Sequence, residues 1–305
     1  MGVPNGILLV DKPQNFTSFD VIGKLRGILK TKKMGHAGTL DPMATGVLPV
    51  FIGKATRAIP FLEEHQKRYT ATFRLGTVTD TQDITGNITK TSVVNVGYKD
   101  VAEVTEKFVG DTMQMPPMYS AVKVNGKRLY DLARKGVEVK REARPINIPF
   151  INFLAHDEEL HSYTIDVMCS KGTYIRTLCH DIGKTLGCGA VLTNLRRTEA
   201  CGYSINECVG FEQIENSVQI SDYSLIKPVE TAFDYLPKLY LSSRHATQVL
   251  NGVKLPLSTL AYTGLHIKQN ILYSVYDNSG LFLGLCHASP NEENLEPKRI
   301  FAERM

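Results

Sequence analysis

At 305 residues, with 43% apolar and 22% charged side chains, the chain has the balance of a folded globular protein of one large domain or two unequal ones, not of a disordered or low-complexity chain. The net charge of +4 permits a polyanionic partner without requiring one, and no apolar run approaches a membrane span, which points to a cytoplasmic protein with no membrane partner. Cys169, Cys179, Cys188, Cys201, Cys208 and Cys286 show neither a CxxC pair nor a His/Cys ligand spacing, so no zinc or dithiol site is expected.

The first apolar run, Ile7 to Val10, predicts a buried strand that Lys12-Pro13 closes, and Thr17 or Ser18 is placed to cap the helix that follows. A basic cluster, Arg26, Lys30, Lys32 and Lys33, then leads into GHAGTLDPMATGVLP, residues 35–49. Gly35, Gly38, Gly46 and Pro42 make this stretch poor helix or strand material, so the lone carboxylate of Asp41 is set in a rigid loop. Loops on scaffolds carry function, but an Asp between Leu and Pro is also ordinary turn chemistry, and local composition leaves both open.

Further on, KRYTATFRL (67–75) alternates as a strand does and stops at Gly76, and residues 99–109 suit a short helix with Val101, Val104 and Phe108 on one face. Paired prolines open the next stretch, Asn125-Gly126 predicts a hairpin turn, and a helix is expected to end at Gly136. From Lys123 to Arg144 eight basic residues face three acidic ones, a local charge of +5 that exceeds the charge of the whole chain. Such a stretch is either a solvated face or a set of phosphate contacts, and its place near a Gly-rich loop favours the second. YTIDVMC (163–169) predicts a strand and residues 173–186 a helix, while Pro228 and Pro237 make 211–237 read as a linker. The last block combines a helix near 243–250 with short strands and an Asp277 to Gly280 hairpin turn.

The loop motif, together with GILLVDKPQNFTSFDVIGKLRGIL, KRYTATFRLGTVTDTQDITG, KGTYIRTLCHDIG and GCGAVLTNLRRTEACGY in that order, resembles the pseudouridine synthases of the TruB branch over most of residues 6–205. Met43, where the family more often has Leu, is a volume-conserving difference. The resemblance implies an α+β fold: a mixed, largely antiparallel pseudouridine-synthase sheet with flanking helices over residues 1–232. It also implies a thumb insertion at about 115–148 and a small, β-rich, PUA-like RNA-binding domain over 233–305.

The reaction it implies turns uridine into pseudouridine in RNA, and needs no cofactor or metal. By resemblance, Asp41 is the nucleophile and Arg176 the cation beside it. The pairing has a physical reason, since a pocket closed over RNA disfavours a bare carboxylate. Tyr69 corresponds to a tyrosine that stacks on the flipped base and helps to take the C5 proton, Tyr174 to a second pocket tyrosine, and His36 to the residue that fills the space left by the base. Leu195 matches an apolar pocket wall, for which core packing is an equally good account. Asp80 and Asp83 are expected to order their loop or touch RNA, and Lys12, Lys127, Arg128 and Arg141 to contact RNA.

SAVKVNGKRLYDLARKGVEVKREARPI resembles an insertion of the stand-alone branch, implying action on uridine 55 in the T arm of tRNA without a guide RNA; a monomer is expected because the RNA supplies the large partner surface. A tRNA-binding folding chaperone with secondary or no catalytic activity is the alternative, and an intact Asp41, Tyr69, Tyr174 and Arg176 set argues against it.

Overall fold

The computed structural model describes residues 2–62, 66–124, 126–261, 267–289 and 293–302. Its main sheet has nine strands, and along the central path their order is Phe150–Asp157, Ser162–Cys169, Lys67–Leu75, Ala190–Ala200, Thr45–Ile52, Gly6–Lys12 and Ile226–Lys227. One joint on this path is parallel, where Arg196 and Arg197 lie beside Thr45 and Gly46; the others are antiparallel. This is the mixed, largely antiparallel core expected of the sequence. The parallel joint is tight: Gly46 has φ +103°, and a Cβ there would meet the Arg197 carbonyl oxygen at 2.1 Å, so no other residue fits.

The strand Gly6–Lys12 shows why its apolar run does not alternate. Leu8 and Val10 pack with Val21, Ile22 and Leu25 of the helix Ser18–Leu29, while Ile7 and Leu9 pack on the other side with Phe51, Phe233 and Phe282. Both faces are therefore dry. The helix begins on a capping box: Thr17 accepts from the Asp20 backbone N–H and Asp20 accepts from that of Thr17, a device worth about 1 kcal/mol. In Lys67–Leu75 the alternation predicted from the sequence directs Tyr69, Ala71, Phe73 and Leu75 into a core shared with Leu178 and Ile182 of the helix Ile175–Thr185. The helix Tyr98–Glu106 covers the same core with Val101, and Val104 and Phe108 pack beside it.

The basic stretch leaves the core through an antiparallel pair, Gly110–Gln114 with Arg144–Ile148. Between these strands a hairpin pairs Lys123 with Arg128 and Val124 with Lys127, followed by the helix Leu129–Ala133 and a turn at Gly136, φ +69°. Asn125, half of the predicted turn, lies outside the described residues, as does the side chain of Arg128.

The segment 211–237 is not a linker. Phe211–Gln219 is a helix that buries Ile214, Ile226–Lys227 closes the sheet against Ile7 and Leu8, and Phe233 is fully buried. Two prolines mark bends in a packed segment here, and a two-residue strand leaves no periodicity to read.

Beyond it lies a second, five-stranded sheet in the order Lys238–Leu241, Leu272–Asp277, Phe282–Ala288, Asn294–Ile300 and Leu255–Pro256, packed on the helix Ser243–Leu250. Its hairpin turn is held by Asp277, whose Oδ1 accepts from the backbone N–H groups of Ser279 and Leu281. Phe233, Phe282 and Phe301 stack with centroids 5.7–6.4 Å apart and join the two sheets through one apolar cluster.

Candidate active site

The Asp41 loop is braced from both sides by hydrogen bonds to its backbone. The Ser18 hydroxyl accepts from the Leu40 N–H at 2.9 Å and lies 3.3 Å from the Leu40 carbonyl. The Pro42 carbonyl accepts from the Asn15 N–H at 2.8 Å and from Lys12 Nζ at 3.3 Å. On the far side Arg197 donates from Nη2 to the Gly38 carbonyl at 2.9 Å and from Nε to that of Val47 at 2.8 Å. Inside this frame the Ala44 N–H donates to the Asp41 carbonyl, closing a turn from which the Asp41 side chain projects. Among the described residues no hydrogen bond uses that carboxylate, so it does not cap its own turn; its partner is Arg176, with Nη1 3.5 Å away.

Arg176 sits on the first turn of Ile175–Thr185 and faces two carboxylates, with Asp83 at 3.7 Å from the same Nη1. Their surroundings differ. The Asp83 side chain is 6% exposed and its Oδ1 accepts from Thr81 Oγ1, the Thr85 N–H and Thr85 Oγ1, whereas the Asp41 side chain is 40% exposed. Asp83 is thus locked, whereas the Asp41 carboxylate stays half-exposed. Arg176 itself is 7% exposed, and its Nη2 donates to the Tyr119 carbonyl at the root of the basic insertion. It is not a surface arginine.

Tyr69 and Leu195 are buried in the same cluster as Leu40 and Met43, one on each of two paired strands. Burial pushes the Tyr69 phenol up to about 12, and the neighbouring Arg197 guanidinium opposes that rise. Tyr174 is half-buried at the helix N-terminus, its ring centroid 5.8 Å from the Arg176 guanidinium carbon, and its backbone is gripped at N–H and C=O by the Gln114 amide. His36 meets Phe19 edge-on at 5.5 Å; burial, and then Arg197, holds its imidazole toward the neutral form.

Two residues expected to contact RNA, Lys12 and Asp83, are buried here. Lys12 is fully buried, with its ammonium on the carbonyls of Pro13, Phe16 and Pro42, and desolvation pulls it down to about 8 against the attraction of Asp41. It braces the loop from beneath. Asp83 is likewise buried and turned to Arg176, while Asp80 accepts from Asn87 and orders the neighbouring turn. In the insertion Lys127 is exposed, and Arg141 is engaged with the Pro116 carbonyl and the Glu138 carboxylate.

The family model described as TruB family pseudouridylate synthase (N terminal domain) matches residues 26–175, and that of the tRNA pseudouridylate synthase B C-terminal domain matches residues 176–234. The tRNA pseudouridine synthase B of Oceanobacillus iheyensis is 42% identical over 302 residues, covering 98% of each chain. This chain belongs to the TruB family of pseudouridine synthases. The TruB family protein of Syntrophomonas wolfei, also a tRNA pseudouridine synthase B, is 43% identical over 97% of this chain and 98% of its own. Among solved structures, a chain of a Cbf5-Nop10-Gar1 complex superimposes with a TM-score of 0.74 at 25% identity, covering 98% of this chain and 85% of that one.

In this TruB-family site, sequence reasoning did not single out Arg197, Ser18 or Gln114. Arg197 had a readable signal, since alternation along LTNLRRTEA puts it on the face of Leu195. Ser18 and Gln114 act on backbone far away in sequence, which no local pattern reports.

Proposed function

We propose that this enzyme isomerises uridine 55 in the T loop of tRNA to pseudouridine, with Asp41 as nucleophile and no guide RNA. The observation that carries the reading is the half-exposed Asp41 carboxylate, unclaimed by hydrogen bonds, beside a buried arginine in a loop braced on both sides. Full-length similarity to proteins named tRNA pseudouridine synthase B supplies the substrate class.

The chemistry follows from the residues. A stacked base hides its glycosidic bond, so the uridine must leave the stack, and Tyr69 and Leu195 offer it an apolar wall with an aromatic face. Asp41 then forms an adduct, at C1′ of the ribose or C6 of the base, that keeps the fragments together while the C1′–N1 bond gives way to C1′–C5. Arg176 offsets the charge of Asp41 in the closed pocket, and the turn and braces around the loop spare it reorganisation at the moment of attack. His36, held toward neutrality beside Phe19, fills the space the base vacates.

Residues 1–232 carry this chemistry in our reading, and 233–305 dock RNA as a PUA-like unit. The exposed cations of the 115–148 insertion, Lys127 foremost, meet phosphates of the T arm. The protein acts as a cytoplasmic monomer, the RNA being its large partner.

The test is tritium release from C5-labelled uridine in an unmodified tRNA transcript, with chelator present, for wild type beside Asp41→Asn. Release by wild type alone, mapped to the T loop while the variant still binds tRNA, is the expected result. Absence of release by wild type would leave a tRNA-folding protein instead.

A further inference from the structure

Arg197 is the largest fully buried side chain among the described residues, and it lies beneath the site. Among the described residues no carboxylate forms an ion pair with it. Its Nε and Nη2 are used on the carbonyls of Val47 and Gly38, and its Nη1 has no partner. A buried guanidinium with an idle nitrogen and no counter-charge is an expensive way to tie two carbonyls. Something else fixes its identity.

The ladder supplies it. Arg197 stands directly opposite Tyr69 on antiparallel strands, so both side chains leave the sheet on one face. The phenol is buried with it, and Arg197 is the strongest influence favouring the charged form of that phenol against the cost of burial. The other groups facing Tyr69 are Asp41 from the loop and Cys169 from the strand on its other side, and both oppose a negative charge. Around Arg197 itself stand Lys12, Lys67 and His36, each held by burial toward its neutral form. Of these cations, Arg197 is the one that bears on the Tyr69 phenol.

We infer that Arg197 is a positioning residue for proton transfer: its two carbonyl bonds to the Asp41 loop fix its guanidinium beside the Tyr69 hydroxyl, where it stabilises the phenolate that accepts the C5 proton. This rests on the reading given under Proposed function. Once the C1′–C5 bond has formed, C5 carries both the ribosyl group and a hydrogen. The C5–H bond breaks and the proton passes to the Tyr69 oxygen. After attack at C1′ the bonding pair forms C5=C6 and the π pair of C6=N1 moves to N1, which takes up a proton; after attack at C6 the same pair forms C5=C6 as the C6–O bond to Asp41 breaks and the carboxylate leaves. No co-reactant is consumed, and the C5 hydrogen leaves through a tyrosine that exchanges with solvent.

A tRNA carrying 5-fluorouridine at the target separates this step from the others, because its C5 has no proton to lose. Single-turnover formation of the carbon-linked nucleoside is followed on uridine and 5-fluorouridine tRNA for wild type, Arg197→Gln, Arg197→Lys and Tyr69→Phe. Arg197→Gln should slow the uridine reaction at least about tenfold more than the 5-fluorouridine reaction, a selective loss that only the proton step explains. Arg197→Lys should regain part of that difference. In a Tyr69→Phe background the Arg197 substitution should add no selective loss, since the two act as one unit. Equal losses on both RNAs would overturn the inference and leave Arg197 as a loop brace only.

Should the Arg197 variants not fold, the wild type decides by its pH profile. The uridine rate should climb between about pH 7 and 10 on a limb that the 5-fluorouridine rate lacks, and identical profiles would overturn the inference. Wild type inert on both RNAs would remove the parent reading and this inference with it.

Discussion

Asp83 presents one carboxylate oxygen to Arg176 and has already committed the other. Its Oδ1 takes three donors from Thr81 and Thr85, so Oδ2 faces the guanidinium at 3.7 Å with little freedom to turn away. Asp83→Asn should therefore disarm the site without touching the nucleophile. The guanidinium would lose its fixed counter-charge, kcat in the tritium assay should fall on the order of 10²-fold with KM for tRNA little changed, and stability should drop by about 3 kcal/mol, the scale of a broken buried pair. A thermal melt and steady-state kinetics on one preparation check both parts; a change confined to KM would refute the assignment.

Ser18 offers a subtler test, since it never meets the reacting atoms. Its hydroxyl is the partner of both backbone groups of Leu40, the residue before Asp41. Ser18→Ala leaves those groups buried and unpaired, which should cost about 1–3 kcal/mol in urea unfolding. The slackened loop should also lower kcat more than it raises KM. Unchanged kcat at reduced stability would mean that the other braces suffice.

The buried Lys12 gives a pH signature. Its folded value of about 8 lies below the ordinary 10.5, so the folded state disfavours the ammonium. Below about pH 8 both states hold the proton and the penalty is present in full. Between about 8 and 10.5 the folded protein releases the proton while the unfolded chain keeps it, so this group adds stability as pH rises. The difference in unfolding free energy between wild type and Lys12→Met should shift in favour of wild type by about 3 kcal/mol or less across that window. A difference that stays flat with pH would show that Lys12 remains charged in the fold.

Lys127 is exposed on its hairpin, whereas Arg141 is tied to Pro116 and Glu138. Lys127→Gln should reduce the salt slope of tRNA binding by about one unit, as removal of one phosphate contact does. Arg141→Gln should change the slope less and instead loosen the insertion, visible as faster proteolysis there. Equal slopes for both variants would contradict this division.

Much of this was legible beforehand because the site is built from contiguous motifs. Asp41, Tyr69, Tyr174 and Arg176 each stand in a stretch long enough to recognise, and Lys67–Leu75 announces its inward face by strict alternation. What stayed hidden is relational. Asp83 reads as a turn residue until Arg176 is set beside it, although short hydroxyls two residues to either side, Thr81 and Thr85, are the mark of a carboxylate held by its own neighbours. Lys12 reads as a surface cation because nothing local tells that three carbonyls converge on it. The segment 211–237 was misjudged for a similar reason: Ile226 and Lys227 become a strand only because Ile7 and Leu8, over two hundred positions earlier, need an edge partner.

The contact between Arg176 and the Tyr119 carbonyl has a mechanical meaning. One guanidinium reaches both the insertion and the Asp41 carboxylate, and Gln114, where the insertion departs, clasps the backbone of Tyr174, two residues before Arg176. The insertion therefore cannot swing on its stem without tugging the charge that faces Asp41. On the function proposed above, a molecule seizing the insertion from outside would work a lever whose short arm ends at the Asp41 carboxylate, so that grasping the substrate and cocking the nucleophile would become a single movement.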